Sequence, residues 1–230
     1  MKLLAIDTST EACSAALWLE GEVHQHYQIA PREHGQLILP MIESLLADAG
    51  LTLAQMDTLA FGRGPGGFTG VRIANGVIQG LAFGADLPVV PVSSLAALAQ
   101  GAHTDMNATH ILAAIDARMG EVYWGVYHSP ENGLVVQIEQ EIVCLPQQVP
   151  LPNAGLNHHW VGAGSGWLTY AQPLQARLGN KVSSWDGHRY PQARHIAQLG
   201  ADAFQRGLAV SAEHALPVYL RDEVAWKKSS

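Results

Sequence analysis

The chain has 230 residues, 48% of them hydrophobic and only 14% charged, with a formal net charge of -7. That is enough apolar material for one large core or two small ones. Four lysines and an excess of acid exclude a free-standing nucleic-acid binder, which needs a basic stripe against phosphates. Charge well below the roughly 25% of an average soluble domain hints at surface covered by a partner.

The first residues do not read as a signal peptide, because Asp7 and Thr8 cut the apolar run after Lys2. No run reaches the roughly 18 apolar residues of a membrane span, and the expected home is a reducing cytoplasm. KLLAID (2–7), CSAALWL (13–19) and EVHQHYQI (22–29) read as strands joined by turns too short for crossover helices, hence as antiparallel neighbours. A helix is predicted from about His34 to Ala49, with Leu37, Ile38, Met41, Ile42, Leu45, Leu46 and Ala49 at helical spacing and Gly50 as its stop. MDTLAFG (56–62) is a strand, followed by the glycine-rich stretch FGRGPGGFTGVR. A second helix is predicted from about Thr69 to Phe83, with Thr69 as its cap. PVVPVS (88–93) is a short strand and SSLAALAQGA (93–102) is helical.

The opening then recurs. ILAAID (111–116) repeats KLLAID, and EVYWGVYH (121–128) and LVVQIEQEIV (134–143) follow as strands around the turn PENG. A strand-Asp-turn-strand-turn-strand unit repeated about 110 residues later predicts two related lobes. The expected division is 1–105, 106–212 and a C-terminal segment 213–230 packing back on the first lobe. The remainder reads as a Pro- and Asn-rich loop (145–159), a strand running into a glycine turn (160–167) and a helix at 168–179 whose start Pro173 delays. A helix at 193–207 ended by Gly207 and an extended HALPVYLR (214–221) complete it.

Several groups could carry chemistry. Asp7, followed by Thr8, and Asp116 both end strands. Facing each other across a cleft they would suit a Mg-nucleotide; otherwise each merely fixes its own turn. The glycine stretch lacks the lysine of a Walker A loop and the spacing of a dinucleotide fingerprint. Its place before a helix N-terminus suits an anion, with Arg63 and Arg72 in support, or lets the helix sit deep against the sheet.

Within that helix Gly76, Gly80 and Gly84 stand four apart. Each glycine costs about 0.5–1 kcal/mol against alanine, so a close backbone neighbour is implied, either inside the chain or on a partner. The helix at 34–49 has an apolar arc wider than one sheet contact needs, so the two helices form the best interface candidate. No histidine pair has metal-ligand spacing on a helix, although His24 and His26 share a strand face and His158 and His159 are adjacent. Cys13 and Cys144 read as buried thiols, and Ser165 lies among glycines without the spacing of a nucleophile elbow.

LLAIDTSTEACSAAL, REHGQLILPMIESLL, FGRGPGGFTGVRIANGVIQGLA, ILAAIDARMGEVYWGVY and VYLRDEVAWKK together resemble the TsaB (YeaZ) family of bacterial tRNA threonylcarbamoyladenosine biosynthesis proteins. The resemblance spans nearly the whole chain except about 144–190. It implies an α/β, two-lobe actin/Hsp70-like (ribonuclease H-like duplicated) fold with mixed sheets. It further implies a non-catalytic partner of TsaD, acting with the ATPase TsaE to place a threonylcarbamoyl group on N6 of adenosine 37 in tRNAs reading codons that begin with A. The chain would meet tRNA only through the complex and could form a homodimer when TsaD is absent. No intrinsic cofactor, metal ligand or catalytic residue is implied, although a nucleotide can lie near the TsaD interface; where TsaD-type proteins carry paired helix histidines, His34 is present but position 38 is Ile. Interface helices at about 34–49 and 69–84 would place Leu37, Met41, Leu45, Arg72, Gly76 and Gly80 at the contact. Asp7, Thr8, Arg63 and Asp116 are left as the candidates for a nucleotide or anion. The competing reading is a stand-alone sugar-kinase-like phosphotransferase or a peptidase.

Overall fold

The repeated strand pattern folds into two sheets of the same design. In the computed structural model, which describes residues 1–130, 133–152 and 159–221, strands β1 (Lys2–Asp7), β2 (Ala12–Leu19) and β3 (Glu22–Ile29) run antiparallel. Strands β4 (Thr58–Gly62) and β5 (Val89–Val92) add in parallel on the other side of β1, giving the order β3-β2-β1-β4-β5. The second sheet repeats this with β6 (His110–Arg118), β7 (Glu121–His128), β8 (Val136–Cys144), β9 (Trp160–Ala163) and β10 (Val182–Asp186), in the order β10-β9-β6-β7-β8. The expected turn at 130–133, the loop at 145–159 with His158, and the segment 213–230 extend partly outside the described residues.

Helices α1 (His34–Asp48) and α2 (Phe68–Ala85) bury Ile38, Ile42, Leu45, Ala74, Ile78 and Ala82 on one face of the first sheet. Helix α4 (Ser165–Leu178) covers the outer face of the second sheet with Trp167, Leu174 and Leu178. Between the sheets lie α3 (Ser94–Met106) and α5 (Ala193–Gln205). Helix α3 comes from the first half of the chain, yet Leu95, Leu98 and Ala102 pack on the second sheet. Helix α5 comes from the second half, yet Ile196, Ala197 and Ala201 pack on Leu3, Ala5 and Ala60 of the first. The lobes therefore exchange helices, and a cut at 105/106 separates each from the sheet it covers.

Other differences from the sequence reading have local causes. Gly67, not Thr69, caps α2, so the helix begins one residue earlier and Thr69 sits in its first turn. Helix α4 starts at Ser165 rather than 168; it is kinked at Tyr170 (φ -125°, ψ 30°), three residues before Pro173, whose ring and missing N–H disrupt the preceding turn. Strand β10 escapes a hydrophobicity reading because VSSWD is a half-exposed edge strand. Cys13 is buried and Cys144 half-buried, both free thiols.

Candidate interaction face and inter-lobe cleft

The glycine stretch is where the first strand, its turn and α2 come together. The Asp7 carboxylate accepts from the Ser9 amide and hydroxyl, each at 3.0 Å, and is wholly buried. A Cβ on Gly62 would stand 1.8 Å from Asp7 Oδ2, one on Gly66 2.2 Å from the Ser9 carbonyl oxygen, and one on Gly70 2.0 Å from that of Thr8. The Gly67 amide donates to Ser9 O at 2.7 Å and the Thr8 hydroxyl to Gly70 O at 2.7 Å. Only a chain without side chains at these points can press the start of α2 onto the first turn. Burial pushes the Asp7 carboxyl up to about 6, against the lowering effect of its Ser9 hydrogen bonds.

These contacts settle where the candidate anion ligands lie. Asp7 and Thr8 are sealed beneath the glycine loop and do not reach the space between the lobes. Arg63 also points elsewhere, with its charge acting on Tyr127, whose hydroxyl, like that of Ser93, donates to the buried carboxylate of Glu141. Asp116 alone of the four lines the cleft. It accepts from the Arg118 amide at 2.8 Å and the Tyr170 hydroxyl at 3.2 Å, and the Arg118 guanidinium spans from Asp116 (3.2 Å) to Glu11 of the first lobe (3.1 Å). The strand-end aspartates thus do not form a matched pair across the cleft.

The cleft has a volume of about 1050 Å³ and runs from the Asp116 turn to the start of α2. Residues 215–221 stitch its far side. Asn75 and Gln79 of α2 donate to the Ala215 carbonyl, Val218 donates to Arg63 O at 2.8 Å, and Arg221 donates to Ala117 O at 3.1 Å and to Glu121. The Arg72 guanidinium lies 3.3 Å over the Phe68 ring and 4.9 Å from that of Tyr219.

The outer face of α1 and α2 answers the question the glycines raise. Among the described residues nothing lies within 4 Å of a Cβ placed on Gly76, Gly80 or Gly84, and all three are exposed. The stripe accommodates no neighbour among the described residues. Arg72 shares its face, as does Phe83, which is 73% exposed. On α1, Leu37 and Met41 are half-buried and Leu39 is 45% exposed. Leu45, expected at the contact, lies instead in the first-lobe core at 3% exposure, because it falls on the helix face shared with Ile38 and Ile42. Leu39 and Phe83 were absent from the sequence-derived set; their signal was an apolar residue lying off the core stripe of its own helix.

Among the described residues, no group of three or more His, Cys, Asp or Glu side chains is gathered as a metal would require. His26 Nε2 is 4.0 Å from Asp48 Oδ2. No helix of the described residues is long and apolar enough to cross a membrane.

The chain matches the family model described as "TsaD: tRNA N6-adenosine threonylcarbamoyltransferase" over residues 22–229. It is 48% identical to tRNA threonylcarbamoyladenosine biosynthesis protein TsaB of Escherichia coli over 99% of this chain and 98% of that protein. It is 44% identical to the TsaB of Haemophilus influenzae over 99% and 97%. The solved structure of YeaZ from Pseudomonas aeruginosa superposes with a TM-score of 0.88 at 47% identity, covering 95% of this chain and 99% of that one. A second Pseudomonas aeruginosa structure, described as an uncharacterized protein with similarity to peptidase YEAZ, gives 0.89 at 48% identity.

Proposed function

The chain belongs to the TsaB/YeaZ family, within the wider group matched by the TsaD model, and from that membership we propose how it works. It is a non-catalytic partner of TsaD in the transfer of a threonylcarbamoyl group to N6 of adenosine 37 of tRNAs reading codons that begin with A. The contact is made by the outer face of α1 and α2, through Leu37, Leu39, Met41, Arg72, Gly76, Gly80 and Phe83. One observation carries this: a stripe of three glycines with open space over it, flanked by an exposed phenylalanine. Glycine within a helix lowers stability, and here it takes no packing partner among the described residues. What it does permit is the close approach of a second backbone, as small residues do wherever helices cross tightly.

The rest of the reading follows from charge and topology. With a net charge of -7, the chain meets tRNA through the complex and not alone. TsaE joins through that complex, a nucleotide lies near the TsaD contact, the same face makes a homodimer when TsaD is absent, and the setting is the cytoplasm. In this reading the interface helices belong to the lobe built on residues 1–105, and residues 215–218 of the C-terminal segment pack back on that lobe. The phosphotransferase alternative is disfavoured by Asp7, whose carboxylate is buried and engaged by Ser9 rather than open to a hydrated ion. The peptidase alternative is disfavoured by Ser165, whose hydroxyl accepts from the Asp116 amide at the buried start of α4. The test is tRNA modification by TsaD and TsaE with and without this chain. Dependence on the chain is expected; undiminished turnover in its absence defeats the proposal.

A further inference from the structure

Strand β8 is the edge of the second sheet, yet Glu141 on it is only 7% exposed. A break in register puts it there. Trp124 pairs with Ile142 and Val126 with Glu139, so Gly125 alone stands opposite Gln140 and Glu141. A bulge of this kind re-aims a side chain. Gly125 serves the same spot, since a Cβ on it would stand 2.7 Å from the Tyr127 ring. The Tyr127 hydroxyl donates to Glu141 Oε1. The Ser93 hydroxyl donates to the same oxygen from the first lobe. Ser93 follows β5 and caps α3, accepting from the Leu95 and Ala96 amides at 3.1 and 3.2 Å.

The glycine loop reaches this cluster through its backbone. The Arg63 amide donates to Val92 O at 2.8 Å and the Ser94 amide to Gly64 O at 3.0 Å, on either side of Ser93 in the chain. Arg63 is thus held close to the cluster, and its charge acts on the Tyr127 hydroxyl. Its Nε is shielded from water and has no hydrogen-bond partner, and among the described residues neither Arg63 nor Glu141 has an ion-pair partner. Buried polar atoms are nearly always paired, and a buried charge without its opposite is costly. The start of α3 offsets part of the charge on Glu141, which leaves Arg63 as the unexplained member. Two unpaired opposite charges that share one tyrosine, each carried by a different sheet, have a second arrangement open to them.

We propose that Arg63 and Glu141 are the two halves of a latch between the lobes. In a second conformer the Tyr127 hydroxyl releases the carboxylate and the Arg63 guanidinium takes its place, tying the glycine loop of the first sheet to the edge strand of the second. Val218 donates to Arg63 O at 2.8 Å and the same loop seats the start of α2, so closing the latch carries both with it. The setting of the lobes then has two discrete values, as packed interfaces tend to. The latch is internal to one chain and does not depend on the TsaD reading.

The Nε–Hε resonance of Arg63 in the full-length protein tests it. Exchange between two environments on the microsecond-to-millisecond scale is expected, read as relaxation dispersion at Hε. Glu141→Gln keeps an acceptor for Ser93 and Tyr127 but carries no charge, and should abolish the exchange. Tyr127→Phe removes the competing donor and should leave Arg63 paired throughout, with Hε moved downfield and the dispersion gone. Urea unfolding in that Tyr127→Phe background gives an independent readout. There the cycle of Arg63→Met, Glu141→Gln and the double variant should show a coupling of about tenfold in the unfolding constant. An Hε signal indifferent to both Glu141→Gln and Tyr127→Phe overturns the proposal. So do single effects that simply multiply, which would leave Glu141 as no more than a support for the α3 cap.

Discussion

Helices α2 and α4 occupy equivalent places, each following the strand that pairs in parallel with the central strand of its sheet. Both begin by the same device. Glycines let α2 press on the carbonyls of Thr8 and Ser9, and Gly164 and Gly166 let α4 press on Ala114. Beyond the first turn they diverge. The outer face of α4 carries Thr169, Gln172, Gln175 and Arg177, long or polar groups suited to water, with Leu168 near its start as the exposed large apolar side chain. The outer face of α2 carries Arg72, Gly76, Gly80, Phe83 and Gly84. One scaffold position thus serves as a solvated exterior in one lobe and as an uncovered packing surface in the other. Duplication preserved the core-facing pattern, while the outward residues went separate ways.

That contrast can be broken at several points. The largest effect should come from Gly70→Val, whose side chain would meet the Thr8 carbonyl and force α2 off the turn. A loss of about 3–5 kcal/mol in denaturant unfolding is expected, on the scale of severe overpacking. Asp7 should make stability fall as pH rises. Its folded value near 6 lies above its usual 3.8, so the native state holds an extra proton between those limits. The stabilisation is complete below about pH 3.8 and is lost through pH 6, about 3 kcal/mol in all, and Asp7→Asn should flatten this slope in urea titrations.

Gly80→Leu should weaken the TsaD complex at least about 100-fold, roughly 2.7 kcal/mol, with circular dichroism unchanged. Gln175→Leu on α4 is the matched control and should leave the complex intact. An equal effect of both would erase the distinction between the helices. Gly76→Ala should raise the chain's own stability by about 0.5–1 kcal/mol while reducing TsaD affinity, since its Cβ meets nothing here. The smallest effect should be that of Arg118→Ala. Its guanidinium joins Glu11 to Asp116, but the side chain is 72% exposed, and solvent screening limits the loss to under about 1 kcal/mol.

Much of this architecture was readable from local pattern. The echo of KLLAID in ILAAID announced two lobes, and short turns announced antiparallel neighbours, because both are encoded within a few residues. What periodicity could not convey was which sheet receives a helix. The apolar stripe of α5 specifies a buried face, but its destination on β1 and β2 is set by non-local packing nearly 190 residues away. The same holds for the interface. Spacing revealed that Gly76, Gly80 and Gly84 share a face, yet only the folded chain shows that this face looks outward. Leu45 illustrates the converse: it belongs to the stripe of Leu37 and Met41 by spacing, and one step of helical rotation takes it into the core.

The exchange of α3 and α5 bears on how the chain is made. As the polypeptide leaves the ribosome, the first sheet can assemble early, but the helix that shields its inner surface is translated only at residues 193–205. Through most of synthesis Leu3, Ala5, Ala60 and Val90 wait uncovered. A nascent chain stalled before that helix is expected to be a client for chaperones, and release from them should coincide with emergence of Ile196 and Ala201 from the exit tunnel.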